Sequence, residues 1–84
     1  MRDNASAGRF EIGEGEETVF AGYRRVGQNL YIDHVEAPLH LRGSGAAGRL
    51  MEAIVRQAQV EGRDIVPICG YAAAWLARRR EAGR

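Results

Sequence analysis

Apolar and polar residues alternate in the first third of the chain and then switch to a helical repeat. Phe10 and Ile12 alternate with polar neighbours, which predicts a short first strand, and Gly13-Glu14-Gly15-Glu16 breaks it. Val19, Ala21 and Tyr23 alternate again, predicting a second strand that ends near Val26. Gly27-Gln28-Asn29 reads as a hairpin turn, because Gly and Asn tolerate positive φ. A third strand is expected over Leu30–Glu36, with Leu30, Ile32, His34 and Glu36 on one face and Tyr31, Asp33 and Val35 on the other. Pro38 stops it. Ala47, Leu50, Met51, Ile54, Val55 and Ala58 then recur at the spacing of one buried helical stripe, with Glu52 and Arg56 able to pair outside and Gly62 as the C-terminal cap. Ile65, Val66 and Ile68 predict a short, buried parallel strand. A second helix is expected from Tyr71 to Arg80, with Ala72, Trp75 and Leu76 inward and Tyr71 also in the core. Residues 1–8 are small and polar and read as a flexible leader. Residues 9–84 read as a single domain of mixed α/β (α+β) class: an antiparallel β meander, one βαβ crossover and a closing helix.

Length and charge narrow the function. A chain of 84 residues supports one small core and leaves no room for a separate substrate domain. The net charge of +1 argues against a dedicated nucleic-acid binder. An arginine-rich stretch, Arg78-Arg79-Arg80, is the sole basis for reading the chain as a small basic interaction domain. A single cysteine permits no internal disulfide, and no apolar run reaches the roughly 18 residues of a membrane span, so a cytoplasmic location is expected, with no membrane partner. No metal site is expected.

The candidate chemistry sits in Leu41-Arg42-Gly43-Ser44-Gly45-Ala46-Ala47-Gly48-Arg49-Leu50, between a strand and a helix. Gly43, Gly45 and Gly48 spell G-x-G-x-x-G. A dinucleotide fingerprint, however, follows the first strand of a βαβ unit and is answered by an acidic residue at the end of the next strand. Here three antiparallel strands come first, and the residue at that end is Cys69. From Arg42 the same letters spell R-x-x-G-x-A. A helix N-terminus with small residues and no strong side-chain cap offers free N–H groups to a phosphate; the bland alternative is a flexible turn.

In this second form the loop resembles the pyrophosphate loop of the GNAT N-acetyltransferase superfamily, R/Q-x-x-G-x-G/A. His34-Val35-Glu36-Ala37-Pro38 followed by Leu41-Arg42-Gly43-Ser44-Gly45, and then Pro67-Ile68-Cys69, are similar to the H-x-E-x-P, L-R-G-x-G and P-x-C elements of its short single-domain branch. Val35 stands where Thr is usual, Ala37 where Val is usual, and Ala46 where Ile is common.

The resemblance implies a compact GNAT-like fold and transfer of an acetyl group from acetyl-CoA to an amine. The N–H groups of Arg42, Gly43, Ser44, Gly45, Ala46 and Ala47 would hold the pyrophosphate. The backbone of Val35 and Ala37 would pair with the pantetheine arm, in a gap between the two parallel strands. Pro67 suits such a gap, since it removes one ladder donor, and suits a plain edge strand equally. Cys69 would lie near the thioester as nucleophile or acid/base group; a helix N-terminus stabilises a thiolate, yet a lone Cys is also a common buried apolar residue. Glu36 would be the general base if the apolar face is the buried one, or an exposed strand-end carboxylate otherwise. His34 would relay a proton or serve structurally. The acceptor is an amine of unknown identity, and a second copy of the chain is a candidate to complete its pocket. The alternative is a non-catalytic CoA- or acyl-CoA-binding module.

Overall fold

The computed structural model describes residues 1–82, so the last two residues of the span expected as one domain lie outside the described residues. Five strands form one sheet in chain order: β1 (Arg2–Asn4), β2 (Arg9–Ile12), β3 (Val19–Val26), β4 (Asn29–Glu36) and β5 (Asp64–Pro67). The first four run antiparallel, and β5 lies parallel to β4. Helix α1 (Ala46–Glu61) makes the crossover and α2 (Gly70–Ala82) closes the chain. The α+β class and the order expected from the sequence are found, with one strand added at the front.

That strand corrects the reading of residues 1–8. Arg2, Asp3 and Asn4 pair with Glu11, Phe10 and Arg9. Polar contacts bind them rather than apolar burial: Arg25 donates to Asp3 at 3.0 Å, Tyr23 donates to Asp3, and Asn4 donates to Glu11 at 3.1 Å.

Both helices pack on one face of the sheet. Leu50, Met51 and Ile54 of α1 and Ala72 of α2 share a core with Phe10, Ala21, Leu30 and Ile32. The stripe on α1 is as the repeat predicts, except that Ala46 rather than Ala47 is fully buried. Glu52 pairs with Arg79 of α2 at 3.3 Å instead of with Arg56. The opposite face of the sheet carries no helix among the described residues. Arg9 lies over the Phe20 ring at 4.2 Å and Arg24 over Tyr31 at 4.6 Å. Arg24 also grips Asp33 through two 2.8 Å bonds, holding that carboxyl below its usual range. Stacked cations and paired charges thus cover the aromatic rings of a face that meets water.

The two-residue alternation of β4 is broken once. Gly22 opposes His34 but Tyr23 opposes Ile32, so Asp33 is an extra residue in a β-bulge. One inserted residue moves everything beyond it to the other face. Leu30 and Ile32 are buried, and Val35 and Ala37 pack against the same core. His34 and Glu36, expected to share the face of Leu30 and Ile32, are exposed on the opposite one. The His34 ring lies directly over Gly22, where a Cβ would collide with it, and meets Phe20 edge-on at 5.9 Å.

The parallel strand also differs from expectation. It is an edge strand of partly buried residues, and Ile68 is outside it and exposed. Its pairing with β4 stops at Ile32 and Pro67. Beyond that point the Ile32 carbonyl accepts from both Ile68 N–H, at 3.0 Å, and Cys69 N–H, at 3.2 Å, and the chain turns into α2.

Candidate functional site

Early departure of β5 leaves the last residues of β4 without a strand neighbour on that side. A cavity of about 680 Å³ opens beside them. Its walls are Val35, Glu36 and Ala37 at the end of β4, Leu41 to Gly43, Gly45 to Gly48, and Tyr71 at the start of α2.

The floor of this cavity is the start of α1. Gly43 and Gly45 have φ of +83° and +86°, a backbone region that costs side-chain-bearing residues roughly 1–2 kcal/mol. Ser44 turns away: its N–H and hydroxyl both donate to the Leu41 carbonyl, and its oxygen accepts weakly from Ala46 N–H. Arg42 N–H donates to Leu39. Among the described residues, no acceptor pairs with the N–H groups of Gly43, Gly45, Ala47 and Gly48. All four residues line the cavity. Gly48 has a second duty, because a Cβ there would stand 3.3 Å from Trp75 Nε1, so it lets α2 approach α1.

Free N–H groups at a helix start, backed by the helix dipole, form an anion cradle. Two arginines flank it, and neither Arg42 nor Arg49 has a carboxylate partner among the described residues. The cavity extends along the unpaired edge of β4, where Val35 and Ala37 wall it.

A family model described as GCN5-related N-acetyl-transferase matches residues 9–84, nearly the whole chain. The chain belongs to this family. No curated protein matches it. The fold agrees with that membership: a five-stranded, mostly antiparallel sheet carries both helices.

Of the residues singled out from the sequence, Val35, Glu36, Ala37, Arg42, Gly43, Gly45, Ala46 and Ala47 line one cavity. Ser44, His34 and Cys69 do not. Cys69 is half-buried and packs against the core, just before α2. The sequence reading missed Leu41, Gly48 and Tyr71. Tyr71 was expected in the core but is 39% exposed at the cavity wall. Gly48 was visible as the third glycine of the loop, and Leu41 as the residue before its Arg; nothing in the helical spacing separated Tyr71 from Ala72 and Trp75.

The distant arginines Arg78 to Arg80 lie at the other end of α2, where Arg79 and Arg80 border a separate groove with Val55 and Asp64. No helix of the described residues is long and apolar enough to cross a membrane.

Proposed function

We propose that the chain is an acetyl-CoA-dependent N-acetyltransferase acting on an amine. The observation that carries this reading is the cradle: the N–H groups of Gly43, Gly45, Ala47 and Gly48, without a partner among the described residues, open into a cavity that continues along β4. A diphosphate fits such a cradle, and the part of the cavity along β4 suits the pantetheine arm. The volume lies within the usual range for small-molecule sites, roughly 300–1,000 Å³. Acetyl-CoA supplies an activated acetyl thioester.

The chain's own groups then have separable tasks. Arg42 adds positive charge at the mouth of the cradle. The backbone of Val35 and Ala37 orients the arm. The amine must lose a proton, and a lysine-like amine starts at a pKa of about 10.4, so a base helps. Glu36, an exposed carboxylate on the cavity wall, is the candidate base, directly or through water. His34 lies two residues away on the same outer face and is a candidate relay beyond the wall. The leaving thiolate needs a proton donor, and among the described residues Tyr71 carries the only hydroxyl on the wall. Cys69 is the weaker candidate for this step, because it lies outside the lining.

Calorimetric titration with acetyl-CoA, CoA and NAD, followed by transfer to a panel of amines, tests the reading. Binding of acetyl-CoA and CoA but not NAD, with turnover lowered at least tenfold by Glu36→Gln, is expected. Absence of CoA binding would contradict it, and binding with no acceptor acetylated would favour the non-catalytic module. All twelve basic residues other than histidine are arginine, so no lysine of the chain competes with the added acceptor.

A further inference from the structure

The cradle has two sides, and only one is accounted for by the diphosphate and the arm. On the β4 side the cavity is walled by Val35 and Ala37. On the other side lie Ser44 and Arg49, neither of which lines the cavity. Arg49 stands in the first turn of α1, and its side chain reaches back over the loop. Nη1 makes a long 3.4 Å bond to the Ser44 carbonyl and lies 3.5 Å from where a Cβ on Gly45 would be. Six of the chain's twelve arginines are committed: Arg2, Arg9, Arg24, Arg25, Arg63 and Arg79 each pair with a carboxylate. Arg49 is exposed, beside the loop that forms the cradle, and among the described residues its side chain is held only by that weak bond.

We propose that Arg49 recognises the 3′-phosphate of coenzyme A and so sets a preference for CoA over dephospho-CoA. The proposal rests on the coenzyme A reading of the cradle. A dianionic phosphate outside the cavity needs a cation that is within reach and not already paired, and guanidinium groups bind phosphate through two parallel N–H bonds. Arg42 faces the cavity and serves the diphosphate. The arginine cluster of α2 is too distant: Arg79 lies eight residues beyond Tyr71, about 12 Å along the helix, and is bonded to Glu52.

Affinities of CoA and dephospho-CoA for the wild-type chain, Arg49→Gln and Arg42→Gln test this, measured by calorimetry at low salt. Wild type should bind CoA about tenfold more tightly than dephospho-CoA. Arg49→Gln should erase that ratio by weakening CoA alone, leaving dephospho-CoA within about twofold of wild type. Arg42→Gln should weaken both ligands and keep the ratio. Equal wild-type affinities, or a ratio that survives in Arg49→Gln, would overturn the role of Arg49 while leaving the cradle in place. Binding of neither ligand to wild type would overturn the coenzyme A reading and this one with it.

Discussion

The two ends of α1 are built on opposite principles. At the C-terminal end a glycine cap and a charge network close the helix. Gly62 takes the left-handed conformation, its N–H donates to Ala58 and Gln59, and Arg63 N–H also donates to Ala58. Glu61 is gripped by Arg25 through two 2.7 Å bonds, by Arg63 at 2.8 Å and by Gln57 at 2.7 Å. The Arg25 guanidinium, with help from Gln57 and Arg63, lowers the Glu61 carboxyl to a pKa of about 2. Arg25 extends the network to Asp3 and Tyr23, so this end ties β1, β3 and the helix together. At the N-terminal end four N–H groups and two arginines have no partner among the described residues. The paired end stabilises the fold, and the end with open N–H groups is the one proposed to meet a ligand.

The largest effect should come from closing the open end. Gly45→Val puts a β-branched residue at a φ of +86°, on the cavity wall. Acetyl-CoA affinity should fall at least about 100-fold, while circular dichroism still reports a folded chain. Unchanged affinity in a folded variant would break the comparison.

Opening the closed end should do the reverse. Glu61→Gln keeps the shape but removes the charge that Arg25 and Arg63 face. Stability to urea should drop by about 1–3 kcal/mol, with acetyl-CoA affinity within about twofold of wild type. The same carboxylate predicts an acid limb. Its folded pKa is depressed, so its contribution is fully present above the ordinary carboxylate range and is lost as pH falls from about 4.5 towards about 2. In Glu61→Gln that part of the pH dependence should flatten; an acid limb identical to wild type would show that other carboxylates control it.

A smaller effect is expected away from both ends. Gly22→Ala should cost about 1–2 kcal/mol, because the new methyl meets the His34 ring. Adding His34→Ala should recover most of it, and failure of that rescue would mean the ring is not what the glycine accommodates. The smallest effect is assigned to Cys69→Ala: turnover should stay within about threefold of wild type, since the thiol lies outside the cavity lining. Loss of most activity would return the thiol to the chemistry.

The contrast also explains how much could be read from the chain. The stripe Leu50, Met51, Ile54, Val55, Ala58 and the cap Gly62 fixed α1 from spacing alone. The glycine cradle was legible because only small residues suit both a positive φ and a close ligand. The bulge was not. Its one trace is the polar pair Asp33-His34, which spaces Ile32 and Val35 three apart; a two-residue period carried straight through from Leu30 and Ile32 puts His34 and Glu36 on the wrong face. Strand β1 was missed for a different reason. Arg2 and Asn4 are held by Glu11 and Asp3 by Arg25, polar contacts that carry no local period. The position of Cys69 depends on where β5 leaves the sheet, which is set by Pro67 and the doubly used Ile32 carbonyl rather than by any motif.

The central claim is that the two ends of α1 divide ligand binding from stability, and amide resonances test it most directly. Titrating the ¹⁵N-labelled chain with CoA should shift the amides of Gly43, Gly45, Ala47 and Gly48 strongly, while Gly62 and Arg63 stay in place. Saturating CoA that leaves the first four amides unmoved, or shifts Gly62 and Arg63 as much, would contradict the account.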